Sequence, residues 1–193
     1  MSEQRRHQRI RFSQPPQIRV GQNGQAGQGE LQNLSLGGLM LTTEIDLKTG
    51  EIFGCEFSVF GSPLIDMPAV VVSRIGKVYS ARFQAGPISE ILIQGAIDSA
   101  LASGKASLLS IRDLQGRKVM RIAGGLNSSL SADFMHGLTK GGVAEVDLSA
   151  VTDIDSSGLA LCLLAVEKYK VKLGDRSVCV DTALRQVARP LQA

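Results

Sequence analysis

Two clusters of hydrogen-bonding residues lie near the N-terminus. The first cluster consists of Arg5 and Arg9, with Arg6 between them. A guanidinium group can donate a fork of hydrogen bonds to the O6 and N7 edge of guanine, and it can also bind phosphate oxygens. These arginines could therefore supply base and phosphate contacts from one N-terminal arm.

The second cluster is the sequence Asn33-Leu-Ser35-Leu-Gly37-Gly38. An amide or hydroxyl on a rigid strand can bond the opposite edge of the base, and glycines allow a ligand to approach the backbone closely. Each cluster also has a plainer interpretation, since arginine-rich termini are usually solvated tails and Asn-x-Ser before Gly-Gly is usually a turn. The combination of the two favours a guanine-nucleotide site.

A third polar motif, Asp155-Ser156-Ser157-Gly158, follows a strand pattern and precedes a helical one. Its serines are expected at the start of the helix, where a hydroxyl can cap free backbone N–H groups. The motif lacks the Gly-x-Ser-x-Gly elbow of hydrolases, and no histidine lies near it in the sequence. No glycine-rich phosphate loop ending in Lys-Ser/Thr is present either. The sequence therefore predicts a protein that is not an enzyme.

The composition narrows the other classes of function. A net charge of +3 is too small for a protein devoted to nucleic-acid binding. The charged N-terminus is not followed by an apolar stretch, which predicts a cytoplasmic protein without a membrane span. His7 and His136 and the dispersed Cys55, Cys162 and Cys179 predict no metal site and no disulfide, with the thiols reduced and packed in cores.

Short strands and turns are predicted from residue 17 to residue 84. Apolar and polar residues alternate over 53–59, and the runs 70–75 and 78–83 flank a tight turn. We expect the Gly- and Gln-rich segment 21–29 to be a loop at a hairpin tip, because it offers no core residues. Many short strands separated by Gly and Pro predict a small closed barrel.

The pattern changes at Gly86-Pro87, after which helical spacing predicts a connecting helix over 87–105. This helix is apolar on more than one side. Such a helix is compatible with a place between two domains, between the subunits of a homodimer, or across one mouth of the barrel.

Strands alternate with helices in the last part of the chain, which predicts an α/β layer with parallel strand pairing. The chain is therefore divided into an all-β domain over 1–86, the helix over 87–105 and an α/β domain over 106–193. The predicted elements are strands at 107–112, 117–122, 143–148 and 177–181, and helices at 128–139, from Ser156 to about Lys172, and from Thr182 onward.

The N-terminal half resembles the PilZ family, whose signature combines Arg-x-x-x-Arg with Asp/Asn-x-Ser-x-x-Gly. This chain matches the first part at Arg5 and Arg9, and the second at Asn33, Ser35 and Gly38. The resemblance implies a six-stranded barrel that binds cyclic di-GMP as a ligand, with no other cofactor, when the arm closes over it. The implied ligand-binding residues are Arg5, Arg6, Arg9, Asn33, Ser35, Gly37 and Gly38.

The run Val-Asp-Leu-Ser-x-Val-x-x-Ile-Asp-Ser-Ser-Gly-Leu-Ala, which ends at Ala160, resembles the STAS domain, typified by bacterial anti-sigma factor antagonists. The resemblance implies a small sheet with helices packed on it, which acts by binding a protein partner such as a serine kinase or an anti-sigma factor. It also implies phosphorylation of Ser157, with Ser156 as the second candidate. Helix capping remains the alternative role for these serines.

The two resemblances together predict a cytoplasmic cyclic di-GMP receptor that passes its signal on through protein contacts of a STAS-like domain. The alternative hypothesis is a constitutive scaffold or dimerisation protein, in which the barrel is empty and Ser157 is an unphosphorylated helix cap.

Overall fold

The computed structural model describes residues 7–188, so Arg5 and Arg6 of the predicted site lie outside the described residues. The chain divides into two compact units, Met1–Ala100 and Leu101–Ala193. The first unit is built from antiparallel strands, whereas the second alternates strands with helices.

The first unit contains a closed antiparallel barrel of six strands, as the sequence predicts. Its elements are β1 (Ile10–Phe12), β2 (Gln17–Gln22), β3 (Gln25–Ser35), β4 (Gly38–Thr43), β5 (Ile52–Phe57), β6 (Ile65–Ile75), β7 (Val78–Phe83) and the helix α1 (Pro87–Ala102). The pairing order runs from β3 through β2, β5, β6, β7 and β4 and returns to β3, while β1 pairs with β3 from outside the ring.

Apolar side chains at alternate positions fill the barrel. Phe53, Cys55 and Phe57 of β5 are all buried, which confirms the alternation predicted for this segment. The ring of Phe57 stacks on that of Phe83, with 6.3 Å between ring centroids. Burial, and secondarily the charge of Asp66, raises the pKa of the Cys55 thiol to about 12. Cys55 is therefore a protonated packing residue.

The prediction that residues 21–29 form a loop is wrong. Only Asn23 and Gly24 form the turn, and the residues on either side pair as β2 and β3. Both turn residues have positive φ angles, 52° and 77°, which suit the Asn-Gly pair in a two-residue hairpin. A strand is held by backbone hydrogen bonds, so this exposed start of β3 needs no apolar side chains.

The second unit is a four-stranded sheet that shares one apolar core with three α-helices. Its elements are β8 (Ala106–Leu114), β9 (Arg117–Leu126), α2 (Ser131–Thr139), β10 (Val143–Ile154), α3 (Ser156–Glu167), β11 (Lys172–Arg176) and α4 (Val178–Ala188), with a 3-10 turn at Ser128–Leu130. β8 pairs antiparallel with β9, and the pairs β9–β10 and β10–β11 are parallel. The core includes Phe134, Val146, Leu161 and Cys162, and burial raises the pKa of the Cys162 thiol to about 11.

The strand predicted at 177–181 is wrong, because this segment begins α4 and the strand lies earlier, at Lys172–Arg176. The preceding helix also ends at Glu167 instead of about Lys172. The last strand, β11, lies at an edge of the sheet, where it pairs with β10. Its side chains are largely polar, so the segment shows no apolar alternation. Val178 and Val180 of the predicted strand lie in a helix that buries Val180.

Between residues 7 and 188, no helix is both long and apolar enough to cross a membrane. The same part of the chain contains no group of three His, Cys, Asp or Glu side chains placed to hold a metal ion.

Candidate functional site

The predicted polar cluster lies at the turn between β3 and β4. Asn33 and Ser35 lie at the end of β3, Gly37 is in the turn, and Gly38 is the first residue of β4. Ser35 pairs with Gly38, and its Oγ donates a hydrogen bond of 3.1 Å to the Gly38 carbonyl. The structure therefore brings these four residues together at one end of a strand pair.

Strand β1 and the described residues that precede it lie beside this turn. β1 runs antiparallel to β3, with Arg11 opposite Asn33. Farther along, a Cβ atom at Gly37 would lie 3.0 Å from Cδ2 of His7, so the imidazole covers the turn. Arg9 lies between these two contacts in the chain and is exposed to solvent. The described part of the arm therefore lies alongside the polar cluster. His7 is a neighbour that the sequence analysis did not assign to the site.

Asn33 carries an unsatisfied polar atom at this position. The residue is only 8% exposed, and its Oδ1 accepts no hydrogen bond. Its Nδ2 lies 3.6 Å from the sulfur of Met40, which is a weak acceptor. Leaving a buried polar group without a partner costs about 1–3 kcal/mol. A ligand with an N–H donor, such as the exocyclic amine of guanine, would satisfy this oxygen.

Gly38 has a packing role that does not depend on a ligand. Strand β4 lies so close to β7 that a Cβ atom at Gly38 would overlap the carbonyl oxygen of Ala81. It would also lie 3.1 Å from the Cα of Arg82, which is paired with Gly38 in the sheet. Glycine is therefore required here for the barrel to close.

Outward-facing residues of β4 and β7 extend the site beyond the predicted motif. Burial alternates along β7, with Ser80 and Arg82 on the outer side. Ser80 pairs with Met40, and Arg82 pairs with Gly38. The sequence analysis missed Arg82 and Met40, because the strand pattern of 78–83 predicts which side chains face outward but not which strand lies next to it.

The Asp-Ser-Ser-Gly motif lies at the N-terminus of α3, but the serines do not cap the helix. Asp155 is the N-cap residue, and its Oδ1 accepts a hydrogen bond of 2.8 Å from the backbone N–H of Gly158. Ser156 is exposed and Ser157 is half-buried in the first turn. The prediction of serine capping is wrong, because the helix begins at Ser156 and both serines lie inside it.

The start of α3 is seated directly on the end of β9. A Cβ atom at Gly158 would overlap the carbonyl oxygen of Leu126. The same carbonyl accepts a hydrogen bond of 3.3 Å from the backbone N–H of Asp155. These contacts fix the position of the two serines relative to the sheet of the second unit.

The barrel carries an N-terminal arm and a strip of polar residues on the outer face of β3, β4 and β7. Together these features define a small ligand-binding domain. Residues 3–97 match the family model for the PilZ domain. This segment is a PilZ domain, which confirms the first of the two resemblances. The family match ends before the second unit, so the STAS-like assignment remains a prediction.

Solved structures similar to this chain include two of E. coli YcgR and one of K. pneumonia MrkH. The c-di-GMP-bound PilZ domain of YcgR is 24% identical, with a TM-score of 0.45, and the match covers 50% of this chain and 91% of that one. The YcgR complex with c-di-GMP is 27% identical, with a TM-score of 0.43 and coverage of 50% and 46%. The MrkH–c-di-GMP complex is 17% identical, with a TM-score of 0.47 and coverage of 54% and 55%. A search of curated proteins found no match.

Proposed function

We propose that the first unit is a receptor for cyclic di-GMP. The observation that carries this proposal is the buried Oδ1 of Asn33, which has no hydrogen-bond partner within residues 7–188. Asn33 lies in the segment that matches the PilZ family model. It is paired with β1, the strand that follows the arginines of the arm in the sequence. Asn33 and Ser35 would bond to a guanine edge, and Gly37 and Gly38 would allow the base to approach the backbone. The implied partners from the arm are Arg5, Arg6 and Arg9, which would hold guanine and phosphate.

Calorimetric titration of the full chain with cyclic di-GMP tests the receptor function. We expect saturable binding at micromolar ligand, and a loss of about tenfold or more in Arg9→Ala, because a hydrogen bond to a charged group contributes about 1.5–3 kcal/mol. Ser35→Ala should also bind more weakly. Because Ser35 also donates a hydrogen bond within the turn, the melting curve of this variant shows whether weaker binding comes from a destabilised turn or from a lost ligand contact.

Arg19→Ala is the matched control for this titration. Arg19 is an exposed arginine that pairs with Glu56 and lies opposite Gln28, at the other end of β3 from Asn33. Its removal changes the net charge equally and should leave the affinity unchanged. Absence of binding by the unsubstituted protein, or equal affinities for it and Arg9→Ala, would contradict the receptor function.

The second unit is proposed as a STAS-like protein-interaction domain regulated at Ser157, with Ser156 as the alternative site. Asp155 already caps α3, which leaves the serine hydroxyls free for phosphoryl transfer. A phosphate at this helix N-terminus is compatible with the folded domain, because the helix dipole favours negative charge there. At an exposed docking surface, the same charge would oppose the binding of a partner, such as a serine kinase or an anti-sigma factor.

A pull-down from host extract, combined with mass spectrometry, tests the role of the serines. We expect phosphate on Ser157 or Ser156, the same partner with the unsubstituted protein and Ser157→Ala, and loss of that partner with Ser157→Asp. Thr139→Asp adds the same charge at the exposed end of α2 and should retain the partner. Identical partners for Ser157→Ala and Ser157→Asp, with no phosphate found, would contradict phosphorylation control.

The proposed coupling requires that cyclic di-GMP change the affinity for the partner. Thermodynamic linkage then requires the partner to change the affinity for cyclic di-GMP by the same factor. In this role the protein is a cytoplasmic signalling protein without catalytic activity of its own.

The alternative function is a constitutive scaffold or homodimer with an empty barrel. It is favoured by two exposed apolar side chains one turn apart on α1, Ile88 at 77% and Ile91 at 72% exposure. This alternative predicts no ligand binding and the same partners for every Ser157 variant.

A further inference from the structure

A row of directly paired residues crosses three adjacent strands beside the polar turn. Ser35 of β3 pairs with Gly38 of β4, and Gly38 pairs with Arg82 of β7. Paired residues in an antiparallel sheet are about 5 Å apart, so the backbones of Ser35 and Arg82 are separated by about 10 Å. This spacing is comparable with the width of one planar base, with the buried Ser35 hydroxyl on one side and the exposed Arg82 guanidinium on the other.

The floor between these two side chains is bare backbone. Gly38 has no side chain, and the close approach of β7 excludes one, because a Cβ atom would overlap the Ala81 carbonyl oxygen. Gly38 is itself buried, so a flat ring can rest against this backbone only when the groups that cover it move aside.

The neighbouring row provides an apolar surface next to this floor. Asn33 pairs with Met40, and Met40 pairs with Ser80. Met40 is half-buried on the outer side of β4, where its thioether contacts the Asn33 amide. Methionine sulfur makes favourable contacts with aromatic rings, so this side chain suits the face or edge of a purine.

The charge of Arg82 is not compensated by an ion pair within the described residues. Arg82 is exposed, and no carboxylate between residues 7 and 188 forms an ion pair with it. Five other strand arginines of this part of the chain are paired with acidic residues, whereas Arg112 of β8, like Arg82, forms no ion pair with a described carboxylate. These pairs are Arg19–Glu56, Arg74–Asp46, Arg117–Glu145, Arg121–Asp147 and Arg176–Asp181.

We infer that Arg82 is a further ligand-binding residue, which donates a fork of hydrogen bonds to the O6 and N7 edge of a guanine. The base lies on the Gly38 floor with Met40 beside it, and its opposite edge meets Asn33 and Ser35. This inference rests on the proposed cyclic di-GMP receptor function. It assigns to β7 a part in recognising guanine in preference to adenine, which presents an amino donor where guanine has O6.

Titration of the full chain with cyclic di-GMP and cyclic di-AMP tests the inference. Arg82→Ala should bind cyclic di-GMP about tenfold more weakly or worse, and its preference over cyclic di-AMP should fall, because one bidentate arginine–guanine pair is lost. Arg82→Lys should not restore the affinity, since lysine cannot form the fork. Arg19→Ala is the control and should behave as the unsubstituted protein.

The outcomes separate this inference from the function on which it rests. If the unsubstituted protein does not bind cyclic di-GMP, both the receptor function and the role of Arg82 are overturned. If it binds and Arg82→Ala binds equally well, only the role of Arg82 is overturned. Full affinity in Arg82→Lys would also overturn the assignment, because it would show a point-charge contact in place of guanine-edge recognition. Unchanged melting curves of the variants confirm that the barrel is intact.

Discussion

Replacement of Gly38 by alanine is expected to destabilise the barrel by about 3 kcal/mol or more. The added Cβ would overlap the carbonyl oxygen of Ala81, and a backbone group cannot rotate away as a flexible side chain can. Strands β4 and β7 would have to separate, which would break the closure of the barrel. Denaturant unfolding followed by circular dichroism measures the effect as a fall in the midpoint concentration.

Gly54→Ala is the matched control for this substitution. Gly54 also lies in a barrel strand, but the nearest atom to an added Cβ there is 3.9 Å away, the carbonyl oxygen of Gly21. Alanine should therefore be accommodated with a change of less than about 1 kcal/mol. Equal stabilities of Gly38→Ala and Gly54→Ala would show that the close approach of β4 and β7 does not constrain the fold.

Gly158→Ala should destabilise the second unit to a similar extent. An added Cβ would overlap the carbonyl oxygen of Leu126, and this carbonyl also accepts the N–H of Asp155. The start of α3 would have to move away from β9, which would also disturb the cap made by Asp155. Thermal unfolding of the full chain should show a lower midpoint for the transition of this unit.

A helical glycine with free space around it is the control for Gly158. Gly95 lies in α1 with no atom within 4 Å of an added Cβ. Alanine there should stabilise the protein by about 0.5–1 kcal/mol, because it reduces the entropy lost on helix formation. If Gly158→Ala were also stabilising, the seating of α3 on β9 would be incorrect.

Variants of Gly38 are unsuitable for testing a ligand contact, because Gly38 is also needed for packing. The PilZ resemblance implies that this glycine contacts guanine, but a variant here is expected to lose barrel structure whether or not a ligand binds. Loss of binding in a Gly38 variant therefore carries no information about a ligand contact. Arg9 and Arg82 are better targets, because both are exposed side chains outside the core.

Local patterns predicted the elements that bury a regular set of side chains. The alternation in Phe53, Cys55 and Phe57 identified a barrel strand, because each alternate side chain must enter the core. The exposed start of β3 and the polar strand Lys172–Arg176 bury few side chains, so neither produced a pattern. Backbone pairing to a neighbouring strand makes both segments extended, and that pairing is not visible in local sequence.

The motifs around Arg9, Asn33 and Ser35 were recognisable from sequence alone, because their residue types and spacing lie within short segments. Contacts between distant segments decided which other residues lie beside these motifs. The close approach of β4 and β7 brings Arg82 next to Gly38.

The same distinction applies to the second unit. The sequence determined that Asp-Ser-Ser-Gly begins a helix, because an apolar helical pattern follows it directly. Only the tertiary structure decided that Asp155, and neither serine, caps that helix. The helix has to begin where the backbone of Gly158 can pack against Leu126, and this contact between α3 and β9 sets the first helical residue.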